Sequence, residues 1–186
     1  RVVGYTLVGV RRTLATARKV GRFRHLAIFL IAFMIYNDGI QTVIYMATIY
    51  GRTELGLSPT LLMVTLLIIQ FVAFAGALAF GRLATILPPK RALMVTLAIW
   101  TAVVLYAYFM TSPVEYVALG IVVGIAMGGS QALSRSLYGS MIPIEASGEF
   151  YGFYSVFSKF SAIWGTALFA VINHLSGSSR NAILSL

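Results

Sequence analysis

LAIFLIAFMIYNDGIQTVIYMATIY, residues 26–50, is the stretch that decides the fold. It is 25 residues long and carries one charged side chain, Asp38. At ~1.5 Å per residue a helix of this length reaches ~37 Å, enough to cross a hydrocarbon core ~30 Å thick. Its apolar residues run continuously and do not alternate as a lipid-facing β-strand requires, so the span reads as a helix. At its centre lies Tyr36-Asn37-Asp38-Gly39-Ile40-Gln41-Thr42. Asp38 therefore sits near mid-depth, where a carboxylate costs roughly 2.5–3.5 kcal/mol on insertion scales. A membrane helix that keeps such a group has a partner or a task for it.

The rest of the chain has the same character. Of its 186 residues, 59% are hydrophobic and 10% charged, against ~25% charged in a typical soluble domain. Mean hydropathy is +0.89. These values describe an integral membrane protein. There is no cysteine, which excludes disulfides and thiolate chemistry. The residues after Arg1 lack the short apolar core and cleavage site of a signal peptide. Net charge is +9, and six of the fourteen basic residues fall between Arg11 and Arg24. A nucleic-acid partner would need a soluble basic surface. The clustering instead marks a cytoplasmic flank under the positive-inside bias.

Residues 1–24 place Val3, Leu7, Val10 and Leu14 at helical spacing among basic residues. They read as an amphipathic helix on the cytoplasmic face, with a flexible basic linker as the alternative. Spans follow at about 26–50, 58–81, 91–110, 114–138 and 149–173, and a sixth starts at 181. Ser58-Pro59 opens the second as N-cap and first-turn proline. Pro88-Pro89 separates the second from the third inside a loop carrying Arg82, Lys90 and Arg91. The third holds no ionisable group after Arg91 and reads as lipid-facing or plainly packed. With the N-terminus inside, the first two cytoplasmic segments are basic. The 139–148 loop departs from the bias, since Glu145 and Glu149 outweigh Arg135. Five spans and the start of a sixth fit one six-helix half of a transporter, the chain being a piece of a longer protein or lacking its last helix.

Two small-residue stripes repeat every four residues. One is Gly120, Gly124, Gly128, Ala132 and Ser136; the other is Ala73, Ala77 and Gly81. Both allow close approach of another helix.

Polar groups within the spans carry the functional reading. Asp38, Gln41, Thr42 and Tyr45 lie at i, i+3, i+4 and i+7, one helix face. In a membrane such a face meets protein or a wet cavity, serving either solute chemistry or interhelical hydrogen bonds. Asp38 lies 12 residues past Leu26, Gln70 12 before Arg82, Lys159 10 past Glu149 and Gln131 8 before Gly139. At helical rise these are ~12–18 Å deep, one slab. An Asp38–Lys159 ion pair, direct or through water, is the structural expectation, against a snorkelling Lys159. Arg135 and Glu149 end consecutive antiparallel helices, as a cytoplasmic latch or a surface pair of modest worth. His25 and His174 fall at opposite faces, so they build no metal site. No catalytic triad or phosphate-cradling loop is visible, so neither an enzyme nor a cofactor is expected.

Five motifs in order, YNDGIQT, GLSPTLL, FGRLATILPPKR, GGSQALSRSLYGSMIP and GEFYGFYSVFSKF, span nearly the whole chain. Together they resemble the C-terminal half of a major facilitator superfamily transporter, in the vacuole-effluxer-like branch that groups bacterial proteins with fungal vacuolar amino-acid exporters. The resemblance implies helices seven to eleven and the start of twelve, with 1–24 as the linker between halves. It places Asp38 and Gln131 on cavity-lining helices. Two departures stand out: Thr85 occupies the position of an Asp in the basic loop motif beginning at Gly81, and Thr166 stands where the branch often has proline. The implied activity is alternating access around a mid-membrane site. Substrate or coupling roles fall to Asp38, Asn37, Gln41, Thr42, Gln70, Gln131 and Lys159, and a cytoplasmic gate to Arg135, Glu149, Arg82, Lys90 and Arg91. Expected partners are the bilayer, the N-terminal six-helix half and a small polar solute, amino acids by analogy. Proton coupling rests on Asp38. The expected location is a bacterial cytoplasmic membrane. The rival reading is a membrane scaffold assembled through the glycine stripe.

Overall fold

The computed structural model describes residues 24–176. The amphipathic helix expected over 1–24 and the sixth span expected from 181 fall outside the described residues, apart from Arg24. The elements are α1 (Arg24–Thr53), α2 (Pro59–Ile86), α3 (Pro89–Phe109), α4 (Pro113–Gly139), a 3-10 turn (Ile144–Ala146), α5 (Ser147–Phe160) and α6 (Ala162–Ser176). Counting α5 and α6 together, five helical spans among the described residues are long and apolar enough to cross a membrane. The chain is an all-α integral membrane protein.

Punctuation residues set the ends. Ser58 caps α2, its Oγ accepting from the Leu61 amide at 3.3 Å, with Pro59 in the first turn. Ser112 and Glu115 close a capping box on α4. The Ser112 Oγ accepts from the Glu115 amide at 3.2 Å, and Glu115 Oε2 accepts from the Ser112 amide at 3.1 Å. One boundary differs from expectation. α2 continues past Gly81 to Ile86, so Arg82 rides on the helix and not in a loop. Nothing stops that helix until Pro88, which forces Leu87 into extended backbone (φ −109°, ψ 146°).

The fifth span is also two helices. Ser161 interrupts it between Phe160 and Ala162. The Ser158 carbonyl there accepts from Ser161 Oγ at 2.9 Å and from Asn37 Nδ2 at 3.5 Å. Side-chain donors thus compete with the helical ladder at that carbonyl.

α2 and α4 pack most extensively, then α3 on α4 and α6 on α1. Missing side chains allow the α2–α4 contact. A Cβ on Gly128 would fall on the Ala73 carbonyl oxygen, one on Gly124 would lie 2.9 Å from the Ile69 carbonyl oxygen, and one on Gly76 2.6 Å from that of Ile125. The fourth-helix stripe is thus spent on a neighbour within the chain. α3 is more than a lipid-facing span, since Trp100 Nε1 donates to Ser130 Oγ of α4 at 3.4 Å.

Three apolar clusters fill the bundle. At the α1 N-terminal end, Phe33, Tyr138 and Tyr154 stack with centroids 4.5 and 4.8 Å apart. Ile40, Val43, Trp100 and Met127 occupy the middle. Tyr50, Leu62, Tyr116 and Phe169 close the other end. Outside, Phe71, Phe74, Phe109 and Trp164 are 70–78% exposed, an apolar surface suited to lipid and not to water.

Candidate functional site

Two consecutive residues of α1 anchor the polar heart of the bundle. Tyr36 reaches α4, its hydroxyl 2.7 Å from Ser134 Oγ. Ser134 spends its own proton on the Ser130 carbonyl, so Tyr36 is the donor. Asn37, about 100° further around the helix, reaches the α5–α6 break. Its amide donates to Ser161 Oγ and to the Ser158 carbonyl. Asn37 and Ser161 are buried, so each needs the other as a partner.

These contacts frame a cleft of about 100 Å³ between α1, α4 and α5. Tyr36, Asn37, Gln41, Gln131, Arg135 and Ser158 supply its polar lining. Of the residues expected from sequence, the cleft brings together Asn37, Gln41, Gln131 and Arg135. A second cavity of about 330 Å³, between α2 and α4, adds Gln70 and shares Gln131 and Arg135 with the first. The two adjoin along α4, where Gln131 and Arg135 stand one helical turn apart and exposed.

The remaining expected residues are elsewhere. Thr42 is fully buried, its hydroxyl donating to the Asp38 carbonyl at 2.7 Å. Tyr45 turns outward and is 58% exposed, so the four-residue face predicted on α1 divides between protein and surroundings. Asp38 is half-buried and faces α6, outside the cleft lining. A Cβ on Gly165 would meet Thr42 Oγ1, and would lie 2.9 Å from Asp38 Oδ2. The other carboxylate oxygen, Asp38 Oδ1, is buried and has no hydrogen-bond partner.

Lys159 is exposed, and among the described residues no ion pair joins it to Asp38. The reason is angular. Ser158 and Ser161 turn the inner face of this segment toward Asn37, and Lys159 projects about 100° away from Ser158. Equal depth along two helices did not mean equal azimuth. Arg135 lines both cavities, and its backbone carbonyl accepts from the Tyr151 hydroxyl at 3.3 Å. Glu149 is half-buried in the first turn of α5. Arg82, Lys90 and Arg91 are exposed around the α2–α3 turn.

Sequence reasoning passed over Tyr36, Ser130, Ser134, Tyr154, Ser158 and Ser161. Serines and tyrosines are ordinary in membrane helices and often bond to their own helix. The one usable signal was adjacency: Tyr36 lies beside Asn37, and Ser130 beside Gln131.

Comparison with known proteins places this architecture. The family described as "Vacuole effluxer Atg22 like" matches residues 1–186. The "Uncharacterized MFS-type transporter YxiO" of Bacillus subtilis (strain 168) is 38% identical over 171 residues, covering 92% of this chain and 40% of that protein. "Autophagy-related protein 22-1" of Neosartorya fischeri is 27% identical, and its namesake in Aspergillus fumigatus 26%, each alignment covering 99% of this chain and 33% of the relative. The chain thus spans a third to two fifths of the length of these curated relatives. No solved structure matches it. With the family match running from its first residue to its last, the chain belongs to the vacuole effluxer Atg22-like family.

Proposed function

We propose that this chain is the C-terminal half of a secondary active transporter that moves small polar solutes by alternating access. The observation that carries the reading is the cleft between α1, α4 and α5. It concentrates Tyr36, Asn37, Gln41, Gln131 and Arg135 in a bundle whose surroundings are apolar. Polar side chains held at depth in a membrane bundle mark solute or ion paths. A cleft of about 100 Å³ is below the ~300–1,000 Å³ of a complete small-molecule site. Exposed Gln70, Gln131 and Arg135 extend it toward the face a second six-helix half would cover. Amino acids are the proposed solutes, on family analogy. The proposed setting is a bacterial cytoplasmic membrane with the N-terminus inside, since basic residues cluster before α1 and around the α2–α3 turn.

The scaffold alternative needs the glycine stripe free for another protein. Gly120, Gly124 and Gly128 instead face α2 within the chain.

Reconstitution tests the proposal. The full two-half protein in proteoliposomes is expected to take up at least one member of a radiolabelled amino-acid panel. Gln131→Ala should raise the KM for that member about tenfold, as the loss of one hydrogen bond of ~1.4 kcal/mol would. No uptake of any amino acid removes the solute assignment. An unchanged KM moves the solute away from this cleft.

A further inference from the structure

We infer that the cleft is a carboxylate site, in which the Arg135 guanidinium and the Tyr154 hydroxyl hold the anionic end of the solute. The solutes are then carboxylates, anionic or zwitterionic, and cationic ones are turned away. This rests on the transporter reading above and names the solute class of the same cleft. The first observation is the charge of the lining. Among the described residues, Arg135 is the one charged side chain in the cleft and in the adjoining α2–α4 cavity, and neither lining holds an Asp or Glu. A second cation brought beside Arg135 meets like charge in a medium that screens it poorly, whereas an anion is drawn in.

The second observation is a pair of donors without acceptors. Tyr36, Ser134 and Asn37 direct their protons to acceptors within the protein. The Arg135 guanidinium and the Tyr154 hydroxyl do not: among the described residues neither has a hydrogen bond or an ion pair. Tyr154 is 5% exposed, so its hydroxyl is a buried donor in the wall of the cleft. Its ring is held between Phe33 and Tyr138, at centroid distances of 4.5 and 4.8 Å. Arg135 lies close enough to act on that hydroxyl electrostatically. A planar fork of N–H donors beside an O–H donor matches the two oxygens of a carboxylate.

The third observation is position. Arg135 lies outside the last turn of α4, so it does not serve the terminal carbonyls of that helix. Its backbone carbonyl accepts from the Tyr151 hydroxyl at 3.3 Å, and Ser134 beside it is joined to Tyr36 at 2.7 Å. The main chain is therefore held while the guanidinium stands where the two cavities meet. Gln41 and Gln131 offer neutral amides to the rest of the solute. An amino group there finds amide carbonyls and no carboxylate, so the acid end carries the recognition.

Thermal denaturation of the purified full-length protein reads the site without transport. The probes are propionate and butyrate, each set against the amine of equal chain length, propylamine and butylamine. The carboxylates should raise the thermal midpoint in a saturable way, and the amines should not. Arg135→Gln should weaken the carboxylate response about a hundredfold and Tyr154→Phe about tenfold, as loss of hydrogen bonds to a charged group does. Arg135→Lys should fall between wild type and Arg135→Gln, since it keeps the charge and loses the fork. Arg135 is exposed and Tyr154→Phe keeps the packed ring, so both variants should fold. Should either fail to fold, the contrast of acid with amine in the wild type still decides. Equal responses to acid and amine, or a carboxylate response that survives Arg135→Gln, overturn the site. So does a wild type that ignores carboxylates while Arg135→Gln lowers its stability, which would make the guanidinium a latch to a protein carboxylate. In proteoliposomes, uptake of a panel amino acid should be inhibited by the corresponding acid without its amino group and not by the carboxamide. Lysine taken up as well as a neutral amino acid would overturn the exclusion of cations. A wild type that moves no amino acid while the carboxylate response persists would remove the amino-acid assignment and leave the carboxylate site standing. Uptake without any carboxylate response would do the reverse.

Discussion

The contact of α2 with α4 and the contact of α1 with α5 and α6 join helices of similar apolar composition in different ways. The first is closed by what is missing: Gly76, Gly124 and Gly128 let two backbones touch, and a Cβ at any of them meets main-chain atoms. The second is held by side chains. Asn37 reaches across to Ser158 and Ser161, and Gly165 faces Thr42 and Asp38 side chains instead of backbone. Backbone against backbone cannot yield without moving a helix. Side chains can change rotamer, and a helix already broken at Ser161 can bend further. The first contact is built as a rigid wall and the second as a joint, and the polar cleft lies on the joint.

The hardest way to break this contrast is Gly128→Val. Its Cβ would fall on the Ala73 carbonyl oxygen, so α2 and α4 must separate. Overpacking of this kind costs roughly 3 kcal/mol or more when backbone is the obstacle. The expected result is loss of a monodisperse peak in detergent or a large fall in the thermal midpoint. Gly81→Ala is the control. Gly81 belongs to the stripe read on α2, yet a Cβ there meets nothing within 4 Å. It should be neutral or stabilise by about 0.5–1 kcal/mol through helix propensity. Equal damage from both substitutions would mean that α2 and α4 are not joined by this register.

Asn37→Ala attacks the joint. It removes both amide bonds to the α5–α6 break and leaves the buried Ser161 hydroxyl without that donor. The expected cost is about 1–2 kcal/mol, less than that of Gly128→Val. Hydrogen exchange should change most around Ser161 and little in α2. A fall in stability matching Gly128→Val, or exchange altered throughout, would show the joint to be as rigid as the wall.

The two contacts also differ in how far the sequence disclosed them. The five spans among the described residues were legible, because length and hydropathy leave a membrane chain few choices and Pro59, Pro89 and Pro113 mark three of the starts. The stripe at Gly120, Gly124 and Gly128 announced close packing, since spacing alone puts the three on one face. Its partner was not legible, for the same spacing serves a helix of this chain or of another. At the joint, Asn37, Gln41 and Gln131 were recoverable from the cost of polar groups at depth. Lys159 was misplaced because counting residues measures depth and says nothing of rotation about the axis. Ser158 and Ser161 stayed hidden, because a break in a membrane helix without proline or glycine arises from a contact 121–124 residues away in sequence.

The finest distinction concerns Tyr36, which joins α1 to α4 from the same turn that Asn37 uses on the other side. Tyr36→Phe removes one hydrogen bond and preserves the ring packing against Phe33, centroid to centroid 5.5 Å. Hydrogen bonds between membrane helices average ~0.6 kcal/mol, so the fall in stability should be of that size, below Asn37→Ala. A double-mutant cycle with Ser134→Ala sharpens the measurement. If the 2.7 Å contact is the whole effect, the second substitution adds nothing to the first beyond its own loss of the Ser130 carbonyl bond. Strictly additive effects would mean that α1 and α4 are not tied through these two hydroxyls. Asn37 alone would then hold α1 to the polar side of the bundle, and the joint would turn on one residue instead of two.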